Sequence, residues 1–203
     1  MAETKKKTTE VIITVPHVVC DENGENCDTY AKYFSAILGD EFINNNIKII
    51  RIISKTNRLK KDDNRFPVTG EFGEAMLKAL NREETKSLFD VHSFPKTKDS
   101  PYDFYFLELT GTEYRSNIRT RDFYLDVLSD LKDANLKGTI MGATHENANV
   151  YTARKYGKNA FLCEFSRLLT TPQAKTICKS LVKYYIHYYH IEEEEKKEEG
   201  FFM

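Results

Sequence analysis

The stretch 88–95, LFDVHSFP, carries the decisive reading. Leu88, Phe89 and Val91 suit a buried strand, and Pro95, which has no N–H to give to a ladder, requires that strand to stop by Phe94. His92 and Ser93 then sit at the carboxyl edge of a sheet, where strands of open α/β folds hand over to loops and reactive groups collect. A lone histidine at a strand end is ordinarily a structural residue. A second stretch changes its weight: 10–17, EVIITVPH, is again an apolar, β-branched run that closes on a histidine. Two imidazoles, His17 and His92, are therefore expected on one edge of one sheet.

The chain around these stretches alternates strands and helices. After His17 comes VVCDENGENC, rich in turn formers and acids, then Asp28 where a helix N-cap belongs. Tyr30, Tyr33, Phe34, Ile37 and Leu38 recur behind it at helical spacing. IKIIRII, at 47–53, predicts a second strand, central in the sheet because it is almost continuously apolar. A long polar connection, 54–70, precedes a short helix over 71–81. Further strands are predicted at 103–109, 138–141 and 159–165. Helices are predicted at 120–135, with Phe123, Leu125, Val127, Leu128 and Leu131 on the buried stripe, at 150–156, and from Pro172 to about His190. This order implies an α/β class, a three-layer α/β/α arrangement around a mixed, largely parallel sheet.

The 203 residues suit a single domain over 10–191, with a disordered leader at 1–9 and an acidic flexible tail at 192–203. With 30 basic against 31 acidic residues the net charge is −1, which argues against nucleic acid as the partner, since neutralising phosphates needs a clustered cationic surface. No run approaches the ~18 apolar residues of a membrane span, so no membrane is expected either. Cys20, Cys27, Cys163 and Cys178 show no CxxC pair and no zinc-finger spacing, so reduced thiols and a cytoplasmic protein are the expectation.

Two strand-end histidines and one carboxylate make a three-ligand metal site of the catalytic kind, with a position left for water. His17 and His92 supply the nitrogens. Asp28 is favoured as the acid because its helix would hold it against the strand edge, while Asp21, Glu25 and Cys20 lie in the same loop and stay open as alternatives. His145, in GATHENAN, is a further histidine at a strand end.

Four motifs in order resemble the N-formylglutamate amidohydrolases, which group with zinc carboxypeptidase-like and aspartoacylase-like hydrolases. The first is apolar-Pro-His, here Val15-Pro16-His17. The second is a pair of arginines seven residues apart, here Asn57-Arg58-Leu59-Lys60-Lys61-Asp62-Asp63-Asn64-Arg65. The third is Asp-X-His-Ser, here Asp90-Val91-His92-Ser93, and the last is a late strand with Glu then Arg, here Cys163-Glu164-Phe165-Ser166-Arg167. Asn57 stands where the family has Ser, Asp63 takes an apolar position, and Val18-Val19 replace small residues.

The resemblance implies one zinc ion on His17, His92 and an acid, with Glu164 as catalytic base. It also implies that Arg58 polarises the scissile carbonyl and that Asn64 with Arg65, oriented by Asp62, grips a substrate carboxylate. The apolar neighbours of Glu164 in NAFLCEF would raise its pKa toward neutrality. The alternative is a structural ion pair with Arg167. The implied activity is zinc-dependent hydrolysis of an amide in a small carboxylate-bearing N-acyl amino acid or peptide terminus. Two rivals accompany it: a catalytically inactive binding module that retains the pocket, and a cysteine hydrolase using Cys20 or Cys163 with a histidine.

Overall fold

A computed structural model describes residues 9–23, 27–95, 101–109, 117–143 and 147–189. The leader ahead of Thr9, the acidic tail, Glu25 and His145 lie outside the described residues. In chain order the elements are β1 (Glu10–Val15), α1 (Thr29–Asn44), β2 (Lys48–Ile53), α2 (Gly70–Leu80), β3 (Thr85–Phe94), β4 (Phe104–Leu109), α3 (Ile118–Asp133), β5 (Gly138–Ala143), α4 (Ala148–Lys155), β6 (Asn159–Ser166) and α5 (Thr171–Tyr189). The six strands form one sheet in the order β2-β1-β3-β6-β4-β5. Every pairing is parallel except β4 with β6, so the sheet is mixed and mostly parallel.

Period-two alternation sends side chains of each strand to two cores. Val11, Ile13, Phe89, Val91, Phe161 and Phe165 pack against α1, α3 and α5, where Phe34, Phe42, Phe123, Tyr124 and Tyr185 meet them. Ile12, Leu88 and Leu162 pack against α2 and α4 through Phe72, Met76 and Val150. The arrangement is thus α/β/α, as the order of elements predicts. Asp90 and His92 follow Leu88 on the α2/α4 side of β3, so the apolar face turns polar as the strand approaches its carboxyl end.

Three expectations are corrected. The strand at 47–53 lies at the sheet edge, not its centre. It is apolar because both of its faces are covered: Ile49 and Ile53 pack on one core, Ile50 and Ile52 on the other. The stripes of two helices are rotated from the predicted ones. On α1 it runs through Ala31, Phe34, Leu38 and Phe42, leaving Tyr30 and Tyr33 exposed, with the Tyr33 hydroxyl donating to Thr171 Oγ1 at 2.7 Å; on α3 Tyr124 is buried and Leu125 exposed. The third concerns thiols. Cys20 and Cys27 are joined in a disulfide, their Cα atoms 4.6 Å apart, whereas Cys163 and Cys178 are free and buried. The loop returns on itself because the Asp28 N–H donates to the His17 carbonyl, a closure that spacing alone does not reveal. Among the described residues no helix is long and apolar enough to cross a membrane.

Candidate metal centre

β1 ends where Pro16 withdraws an N–H from the ladder, and His17 follows at once. β3 runs two residues past His92, to Phe94, so His92 is held inside a central strand near its carboxyl end. Asp28 occupies the N-cap position of α1, but its side chain makes no capping hydrogen bond. Its carboxylate turns instead toward the histidines: Oδ2 lies 3.1 Å from His92 Nδ1 and 3.4 Å from His17 Nδ1. The two rings meet edge to face with centroids 5.0 Å apart. One donor atom from each of His17, Asp28 and His92 falls within a 4.8 Å cluster, and all three residues are buried.

The far nitrogens are held by further carboxylates. His17 Nε2 is 2.6 Å from Asp62 Oδ1, and His92 Nε2 is 3.0 Å from Asp90 Oδ2. Asp90 is fully buried and accepts from Thr14 Oγ1 at 2.6 Å, Asn147 Nδ2 at 2.9 Å and Asn149 Nδ2 at 3.1 Å. Asp62 is shared: its Oδ1 holds His17, while its Oδ2 lies 4.0 Å from Arg65, the expected partner, and 3.8 Å from Arg58. Carboxylates on the outer nitrogens fix ring orientation and leave both Nδ1 atoms aimed at Asp28, the arrangement that supports metal-ligating histidines.

The electrostatics follow from this crowding. Burial alone would raise Asp28, but hydrogen bonds and charge from His17 and His92 hold its pKa well below the carboxylate range. Against a smaller burial cost, His17 brings Asp62 down to about 2. His92, despite burial, is pushed well above its ordinary value by Asp90 and Asp28. Three carboxylates thus face two imidazoles, with Arg58 and Arg65 on the outer side of Asp62 and Arg167 on that of Asp28. The donor set, two imidazole nitrogens and a carboxylate oxygen in a buried acidic cluster, fits a divalent first-row cation.

The centre opens into a cavity of about 510 Å³ whose lining includes His17, Asp28, Arg58, Asn64, Arg65, His92 and Glu164, while Asp62, Asp21, Cys20 and Cys163 are not part of it. Glu164 is opposite His92 in the β3–β6 ladder. Burial, reinforced by Asp28 and Asp90 and opposed by His92 and His17, raises its pKa to about 7. Arg167 does not pair with it. That guanidinium donates to the Cys27 carbonyl at 2.7 Å and lies 3.7 Å from Asp28 Oδ1, bracing the loop that presents the acid. Asn64 is buried, with Nδ2 3.2 Å from His92 Nε2 and Oδ1 without a partner. The cysteine-hydrolase rival fails here: Cys20 is disulfide-bonded, and burial drives the Cys163 thiol far above its ordinary pKa.

Sequence reasoning missed Tyr105, Asn147 and Arg167 as cavity residues and Asp90 as the support of His92. Asp90 had a signal, its place in Asp-X-His. Tyr105 had the alternation of DFYFLEL, and Asn147 had none.

No family profile and no curated protein matches the sequence. The fold, by contrast, is similar to those of several solved structures. One is a gene product of Agrobacterium tumefaciens, with 14% identity over 88% of each chain and a TM-score of 0.59. Another is the apo N-acetylmuramyl-L-alanine amidase Ami1 of Mycobacterium abscessus, with 10% identity over 89% of this chain and 99% of that one and a TM-score of 0.58. A metallo-carboxypeptidase of Burkholderia cenocepacia shares 14% identity over 93% of this chain, which spans 59% of the carboxypeptidase's length, at a TM-score of 0.55. At such identities the likeness is one of fold. The chain therefore has a metallo-carboxypeptidase- and amidase-like α/β fold that carries a buried His-Asp-His triad at its carboxyl edge.

Proposed function

We propose that this chain is a zinc-dependent hydrolase of the N-formylglutamate amidohydrolase kind, cleaving an amide bond in a small carboxylate-bearing N-acyl amino acid or peptide terminus. The observation that carries this reading is the convergence on one cavity of the triad, an acid of near-neutral pKa and two arginines of the 54–69 connection. The structural neighbours named as amidase and carboxypeptidase support the same class of bond.

His17, His92 and Asp28 would hold the ion. Bound there, zinc supplies positive charge that acidifies a water and polarises a carbonyl. Glu164, across the ladder from His92, takes a proton from the attacking water and returns it to the leaving nitrogen, and a pKa near 7 suits both halves of that task. Arg58 faces the developing oxyanion. Arg65, with the buried Asn64, offers a planar fork to the substrate carboxylate. Asp62 and Asp90 hold the histidine rings in the orientation that points Nδ1 inward.

Glu164→Gln tests this directly, because it keeps size and hydrogen bonding and removes the base. Zinc content should stay at the wild-type level while hydrolysis falls by ~10²-fold or more. Full activity in the variant would remove Glu164 from the mechanism. A zinc-loaded wild type that cleaves none of a panel of formyl, acetyl and peptide amides would leave the pocket as a binding site alone.

A further inference from the structure

The cavity has two chemically different ends. Along the carboxyl edge of the sheet, the connection after β2 brings Arg58, Asn64 and Arg65, β1 and β3 bring the histidines, β6 brings Glu164, and β4 brings Tyr105 and Leu107. The register aligns His92 with Glu164 and Glu164 with Tyr105, and one step down the sheet Leu162 with Leu107. Alternation places Tyr105 and Leu107 on the same face of β4. The Phe94 ring lies 4.7 Å from that of Tyr105 and completes an apolar wall with Leu162, whose own side chain is almost fully buried. Leu107 is half-buried against the α2/α4 core and still faces the cavity.

We infer that the Phe94, Tyr105, Leu107 and Leu162 wall is an acyl pocket that selects an apolar acyl group, of medium-chain or aryl size, on the amide. The inference rests on the hydrolase reading for the orientation of the substrate. A carboxylate held at Arg65 and an amide beside Glu164 direct the acyl substituent away from Arg58 and Arg65 and toward β4. A formyl group, a single carbon with its oxygen, leaves this wall uncovered in a cavity of about 510 Å³. An aliphatic chain or a phenyl ring removes it from water, and each buried methylene is worth about a fourfold gain in affinity.

The test is calorimetric binding of N-formyl-, N-acetyl-, N-hexanoyl- and N-benzoylglycine to the zinc-loaded full chain, with glycine chosen so that only the acyl group varies. Hexanoyl and benzoyl should bind at least tenfold more tightly than acetyl. Leu107→Gln should bring the hexanoyl-to-acetyl ratio toward one, whereas Arg65→Lys should weaken the whole series together and leave the ratio steep. A flat or falling series in the wild type, binding of no acylglycine, or a steep ratio that survives Leu107→Gln would overturn the assignment. Steep binding without turnover of any member would count against the hydrolase reading and leave the apolar wall standing.

Discussion

The two ends of the sheet bury carboxylates in opposite ways. At the amino end, Glu10 accepts from Thr85 Oγ1 at 2.9 Å and from Arg82 Nε at 2.9 Å, so a permanent cation and a hydroxyl satisfy it. At the carboxyl end, Asp90, Asp28 and Asp62 crowd two titratable rings, and no ion pair among the described residues gives Asp90 a permanent cation. One end is closed around a fixed ion pair; the other turns buried carboxylates onto titratable rings beside a cavity, with Arg58, Arg65 and Arg167 only at its outer edge. A fold that needed only to bury polar groups would treat both ends as it treats Glu10. The difference supports the cation site proposed at the carboxyl end, where both imidazoles turn a nitrogen to Asp28.

The largest expected effect comes from breaking the carboxyl end alone. His92→Ala should lower zinc affinity by more than about a hundredfold, since a ligand matters more than the outer partners whose loss costs about 10- to 100-fold. Arg82→Ala, at the other end, should leave zinc affinity unchanged and reduce unfolding free energy by about 1–3 kcal/mol, because Glu10 keeps one donor and loses a charged one. Competition titration and denaturant melts read the two quantities separately. Equal effects on zinc from both variants would erase the contrast.

Asp90→Asn sharpens it. The amide keeps the shape but no longer accepts on both atoms from His92, Thr14 and the two asparagines, so zinc affinity should fall by about 10- to 100-fold with the fold retained. A variant with wild-type zinc affinity would make Asp90 a packing residue, equivalent in role to Glu10.

The smallest effect is on acid stability of the metal-free chain. Asp62 has its pKa lowered from 3.8 to about 2 by His17, so it contributes stability that is fully present above pH 3.8 and is lost as pH falls toward 2. Asp62→Asn should flatten the fall in stability across that window. An unchanged slope between pH 4 and 2 would mean that the His17–Asp62 contact does not persist in solution.

The parts of this site that were legible in the sequence are those with local causes. An apolar β-branched run that breaks at Pro16 names the position of His17, and the same logic with Pro95 brings His92 to the carboxyl edge. Asp28 was legible as the residue before a helix; that its carboxylate leaves the helix N–H groups for two imidazoles was not, because that choice is made by β3, 64 residues away. The hold of Asn147 and Asn149 on Asp90 spans 57 and 59 residues and leaves no periodic trace. The edge position of β2 was hidden for a related reason: an apolar run reports that both faces are covered, not how many strands flank it. The Cys20–Cys27 bond depends on a loop closure between His17 and Asp28 that leaves no mark in the spacing of the residues.

His17, Asp28 and His92 are proposed to hold one cation together. Calorimetric titration of zinc into the chelator-stripped full chain, run in two buffers of different ionisation enthalpy, measures stoichiometry and proton exchange at once. One ion per chain with net proton release is expected, since Asp90 and Asp28 push the pKa of His92 well above its ordinary value and a ligating Nδ1 must give up its proton. Absence of binding, or binding that is unaltered in both His17→Ala and His92→Ala, would contradict it.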